Sequence, residues 1–115
     1  QKPAPPIFIG GAGPGTAARV VAYGDGWVAS GRHVTIDDLA PRFDALQAAA
    51  ADAGRSPIPV MMQAATPTPE AIERYLEIGL TRATFSLTGG AGPDVRAQVE
   101  DLAALVAPHW ESLVV

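Results

Sequence analysis

The chain has 115 residues, the size of one ordinary domain and too few for two. Its net charge of −4, with eight Lys and Arg scattered from Lys2 to Arg96, excludes a nucleic-acid binder working through a basic face. The absence of cysteine excludes disulfides, thiolate metal sites and a cysteine nucleophile, and no stretch approaches the roughly 20 apolar residues of a membrane helix.

Four short apolar runs alternate with four helical patterns. Ile7-Phe8-Ile9 reads as a strand ending at Gly10-Gly11, and a helix is predicted over 14–23. Gly26-Trp27-Val28-Ala29 is the second strand, Trp27 being expected in the core. A helix is predicted over 36–53, with Ile36, Leu39, Phe43 and Leu46 on one face, Thr35 and Asp38 in a capping-box arrangement, and Gly54 as its stop. The third strand covers 57–64, where Pro59 marks its beginning or an edge, and one of Met61 and Met62 should face the core. Thr68 caps the next helix with Pro69 at its first position; Ile72, Tyr75 and Leu76 line that helix, which stops near Gly79. A fourth strand is predicted over 82–87. The last helix covers 93–106 and turns Val95, Val99, Leu102 and Val106 inward.

This pattern is α/β, four βα units, and strands alternating with helices imply a parallel sheet with right-handed crossovers. A small open sheet and one half of a (β/α)₈ barrel both fit, since a whole barrel takes about 250 residues. A half-barrel leaves two open strand edges and one open sheet face. It should therefore dimerise, aggregate or belong to a longer chain. The opening Gln1-Lys2-Pro3-Ala4-Pro5-Pro6 reads like a linker, so the chain is expected to be a fragment, an excised domain or a processed product. A cytoplasmic location is the default expectation, there being no signal-peptide pattern.

The segment Gly10-Gly11-Ala12-Gly13-Pro14-Gly15-Thr16 lies where a strand meets a helix N-terminus. Unpaired amides, the helix dipole and side-chain-free glycines make such a place suitable for a phosphate. A tight turn in which the glycines only satisfy the backbone fits the segment equally. A dinucleotide fingerprint does not fit: Thr16 stands where the third glycine belongs, and Ser30 stands at the end of the second strand where an acidic residue is needed. Thr88-Gly89-Gly90-Ala91-Gly92-Pro93 repeats the glycine chemistry after the fourth strand and ranks second. His33 and His109 are isolated and lack a metal-ligand spacing, so no metal is expected. Ser30 and Ser86 lack a nucleophile-elbow setting, and no catalytic residue is assigned.

Pro5-Pro6-Ile7-Phe8-Ile9-Gly10-Gly11-Ala12-Gly13-Pro14, followed by Ala22-Tyr23-Gly24-Asp25-Gly26-Trp27, resembles a stretch of luciferase-like monooxygenases. The similarity continues through Ala53-Gly54-Arg55, Thr68-Pro69-Glu70 and Ile78-Gly79, and so covers nearly the whole chain. The resemblance implies a (β/α)₈ TIM-type barrel that binds FMN or the deazaflavin F420, with this chain as its C-terminal (βα)₄ half. It carries a cofactor-phosphate role onto Gly10, Gly11, Ala12 and Gly13, with Pro14, Gly15 and Thr16 adjacent. Substrate- and proton-handling groups of the family lie largely on the N-terminal strands, so this portion alone is expected to be inactive. A small-molecule substrate is implied, and the expected partner is the remainder of the parent barrel or a second copy. A stand-alone, dimerising half-barrel that binds a phosphorylated ligand without catalysis is the rival reading.

Overall fold

A computed structural model describes residues 3–92 and 94–109. The expected linker start at Gln1-Lys2 and the expected helix start at Pro93 lie outside the described residues. The elements follow in strict alternation: β1 (Phe8–Gly10), α1 (Thr16–Tyr23), β2 (Gly26–Ser30), α2 (Ile36–Asp52), β3 (Val60–Gln63), α3 (Pro69–Ile78), β4 (Arg82–Ala83) and α4 (Val95–Val106), with a 3₁₀ turn at Ala107–His109. All strand pairs are parallel and the sheet order is β1-β2-β3-β4. That order has no reversal and hence no topological switch point, which separates it from the doubly wound nucleotide-binding sheets.

Local chemistry accounts for the helix ends. Thr35 caps α2 by accepting from the Asp38 amide at 3.2 Å, and Thr68 caps α3 by accepting from the Ala71 amide at 3.2 Å. Past α2, Gly54 takes φ = +73°, the Arg55 amide donates back to the Ala50 carbonyl, and the Gly54 amide donates to that of Ala51. This double closure satisfies carbonyls that the helix end would leave orphaned. Gly79, at φ = +102°, ends α3 in a similar way, and the Leu80 amide reaches back to the Tyr75 carbonyl.

One core lies between the sheet and the helices. Trp27 and Ala29 of β2 meet Val60 and Met62 of β3 beneath Val20 of α1, Leu39 and Leu46 of α2 and Tyr75 of α3. Residues of the other strand parity, Phe8, Val28 and Met61, face the opposite side and are half-buried. Of the two methionines, Met62 is the core residue.

The fourth unit departs from expectation. Only Arg82 and Ala83 are strand, not 82–87, because β3 turns away at Ala64, whose φ is +52°. Beyond the ladder, pairing persists only through Thr84, whose amide donates to the Met62 carbonyl and whose carbonyl accepts from the Ala65 amide. Nor does α4 bury the face expected to turn inward, although its Val99, Leu102 and Val106 line a cavity with Ile72, Tyr75 and Phe85. None of its residues is buried, and Val95 and Val99 are 42% and 49% exposed. α4 is the last helix of its layer, packed on α3 along one side and set over a two-residue strand.

Candidate functional site

β1 delivers the chain to Gly10, and α1 leaves from Thr16, so residues 10–16 form a loop at the C-terminal edge of the sheet. Tertiary contacts hold it. The Trp27 indole N–H donates to the Gly11 carbonyl at 2.9 Å, and Arg42 of α2 donates to the Ala12 carbonyl at 2.6 Å. The Thr16 amide donates to the Gly13 carbonyl at 3.1 Å. Trp27 is buried, as expected of a core residue, and its polar edge aims at the loop. At the far end of α1, Arg55 donates to the carbonyls of Val20, Val21 and Gly24 at 3.2, 2.7 and 2.8 Å, fixing the C-terminus of that short helix. Asp25 turns the chain into β2 while its carboxylate accepts from the Ile7 amide at 2.8 Å.

With three loop carbonyls occupied, the amides of Gly13, Gly15, Ala17 and Ala18 have no acceptor among the described residues. α1 has no side-chain cap at Gly15 and no acidic residue in its first turn. Its positive dipole end is therefore uncompensated. The glycines divide by reason. Gly11, at φ = +148°, has no room for a side chain: a Cβ there would lie 2.7 Å from Thr16 Oγ1 and 3.0 Å from Arg19 Nη2. At Gly13 and Gly15 a Cβ would meet nothing, and neither φ lies in the region reserved for glycine. Neither backbone strain nor crowding calls for glycine at those two positions.

Thr16 contributes a further feature. It is 4% exposed, and its hydroxyl is buried with no hydrogen-bond partner among the described residues. An unpaired buried hydroxyl is destabilising, and native folds leave few of them without a reason. A cavity of about 330 Å³ opens beside it, lined by Ala12, Gly13, Thr16, Trp27, Arg42 and Leu46 among others.

The second glycine loop is built differently. Thr88 is gripped by Gln98, which accepts from its amide at 2.7 Å and donates to its carbonyl at 3.0 Å. The helix that follows is capped by Asp94, whose carboxylate accepts from the Ala97 amide at 3.2 Å. A helix start already holding its own anion does not favour a second one. Pro93, the last residue of that candidate loop, lies outside the described residues.

The remaining candidates stay apart. His33 is exposed in the loop after β2, and His109 lies beyond α4. No group of three metal-ligating side chains forms among the described residues. The Ser30 hydroxyl accepts from the Arg32 amide at 3.3 Å, and Ser86 is exposed. No helix of the described residues is long and apolar enough to cross a membrane. Arg19 and Arg42 do not stand out in the sequence as parts of the 10–16 loop. The one local signal is spacing, since Arg19 follows Thr16 by three and shares its helix face.

Comparison with known proteins agrees with this architecture. The family model of luciferase-like monooxygenases matches residues 1–110. Uncharacterized proteins of Mycobacterium tuberculosis and Mycobacterium bovis are 32% identical over 108 residues, which is 92% of this chain and 37% of theirs. The chain thus spans little more than a third of the length of the curated relatives it matches.

Proposed function

Because the chain belongs to the luciferase-like monooxygenase family, we propose that it is the C-terminal (βα)₄ portion of an FMN- or F420-dependent oxidoreductase barrel and that its 10–16 loop holds the cofactor phosphate. The family generally binds flavin or F420 cofactors. The observation that carries the reading is the uncapped start of α1, where helix-start amides and the buried Thr16 hydroxyl beside Gly11 have no partner among the described residues. Gly10, Gly11, Ala12 and Gly13 form the approach, and Pro14, Gly15 and Thr16 form the helix start that faces the anion.

The bound cofactor supplies hydride or oxygen chemistry at its ring. The residues of this chain anchor one end of it. Trp27 and Arg42 hold the loop carbonyls so that the amides point at the ligand, and Arg55 fixes the other end of the same helix. This is positioning: a phosphate fixed in a preorganised site limits where the ring can lie. Groups that act on substrate belong to the rest of the barrel, and none is assigned here.

The unreversed sheet supports the barrel reading, and so do apolar side chains exposed at both of its ends. Ile7 and Tyr23 lie beside β1, and Leu87, Val95 and Val99 lie beside β4. Either the remaining βα units of a parent chain or a second copy, as a non-catalytic half-barrel dimer, could cover both ends. The much greater length of the relatives favours the former.

Titrating the chain with FMN and with F420, by cofactor fluorescence with sedimentation alongside, tests the proposal. Saturable binding of one names the cofactor. Absence of binding to both would remove the phosphate site from this chain and leave its family membership standing.

A further inference from the structure

We propose that Arg19 and the Thr16 hydroxyl form a specificity pair of the 10–16 loop, selecting a tetrahedral phosphate group by a guanidinium fork on one side and a hydroxyl donor on the other; this rests on the phosphate reading above. Three observations place them together. A Cβ at Gly11 would lie 2.7 Å from Thr16 Oγ1 and 3.0 Å from Arg19 Nη2, so both side chains pack side by side against the bare backbone of Gly11. The hydroxyl is buried and partnerless among the described residues. Arg19 takes part in neither ion pair of the described residues, Arg74 with Asp37 and Arg96 with Glu100, and its side chain donates no hydrogen bond there.

The chemistry follows from the donor set. Arg42 also touches the loop, but it donates to the Ala12 carbonyl and so acts on the backbone. Arg19 has its fork free. A guanidinium presents paired N–H groups that match two oxygens of a phosphate. The Thr16 hydroxyl donates to a third oxygen, and the amides of Ala17 and Ala18 lie on the same helix turn. A carboxylate has only two oxygens and leaves part of this set unsatisfied. The site thereby accounts for a buried hydroxyl that has no partner among the described residues.

The pair makes a prediction that a structural role would not. Thr16→Val, close in shape, removes an unsatisfied buried group and should raise the thermal midpoint by roughly 2–6 °C. The same substitution should weaken phosphate binding. Arg19 is exposed and partnerless among the described residues, so Arg19→Gln should leave the midpoint unchanged.

The test is a ¹H–¹⁵N titration of the full chain with inorganic phosphate at constant ionic strength, and with acetate in parallel. The native chain should show saturable shifts at the amides of Gly13, Gly15, Ala17 and Ala18, and a weaker response to acetate. Arg19→Gln should raise the phosphate Kd about fivefold to tenfold, with Arg19→Lys recovering part of the loss. Thr16→Val should raise it about threefold or more while Thr16→Ser keeps it. Saturable native binding that either Arg19→Gln or Thr16→Val leaves within about twofold overturns the pair while the phosphate loop stands. A native chain without saturable loop shifts overturns the loop reading and the pair with it.

Discussion

Gly11 is the residue of the loop that admits no substitute. Its φ of +148° and the nearness of the Thr16 hydroxyl leave a β-branched side chain neither a conformation nor a space. Gly11→Val should therefore abolish binding of a phosphate-bearing cofactor and lower stability by about 1–3 kcal/mol, read together by ligand titration and chemical denaturation. Gly13→Ala meets no atom within 4 Å and should leave stability nearly unchanged, so loss of binding in that variant would report the ligand's approach alone. Arg55 makes the opposite case, a side chain whose value is structural. It holds three carbonyls at the end of α1, and Arg55→Ala should destabilise the fold by about 2 kcal/mol in a urea midpoint measurement. From sequence, Arg55 is one residue of an Ala-Gly-Arg helix end. The carbonyls it holds are more than 30 positions away, beyond the reach of any periodicity.

Among the elements, the helix ends were the most legible because their chemistry is local. Thr35 and Thr68 each bond an amide three residues on, and Gly54 and Gly79 take the left-handed conformations expected of helix stops. Thr68→Ala should accordingly cost about 1 kcal/mol, measurable in the same denaturation assay. The strand ends were less legible, since a strand lasts only as long as its neighbour runs beside it. β3 stops where Ala64 enters a positive φ, and β4 is cut to two residues in consequence. That turn is held tightly: a Cβ at Gly31 would run into the Ala64 carbonyl. Ala64→Gly should relieve the backbone and stabilise the fold by roughly 0.5–1 kcal/mol.

At the scale of the whole molecule, both outer strands of the sheet have an open edge among the described residues. β1 and β4 each have one neighbour among the described residues, and exposed apolar side chains flank both, Tyr23 at 76% and Val99 at 49%. An open parallel edge beside apolar surface is a template for association. The isolated chain should thus sediment as a concentration-dependent mixture of monomer and larger species. Val99→Glu on α4 and Tyr23→Glu on α1 should each shift that mixture toward monomer, and a chain that stays monomeric at all concentrations would count against edge closure.

Sequence alone determined the succession of βα units, the caps and stops of α2 and α3, the family and the loop to be considered first. All of these rest on residues within a few positions of each other, or on motif spacing along one chain. It ranked the 10–16 loop ahead of the second glycine loop, and the tertiary structure shows that the two are built differently. Trp27 reaches the first loop across 16 residues and Arg42 across 30 to occupy two of its carbonyls, while the Thr16 hydroxyl and several of its amides have no partner among the described residues. The second loop's helix is closed by its own Asp94. Packing likewise decided that α4 lies on the surface despite its regular valines, because a helix buries an apolar face only where a neighbour covers it.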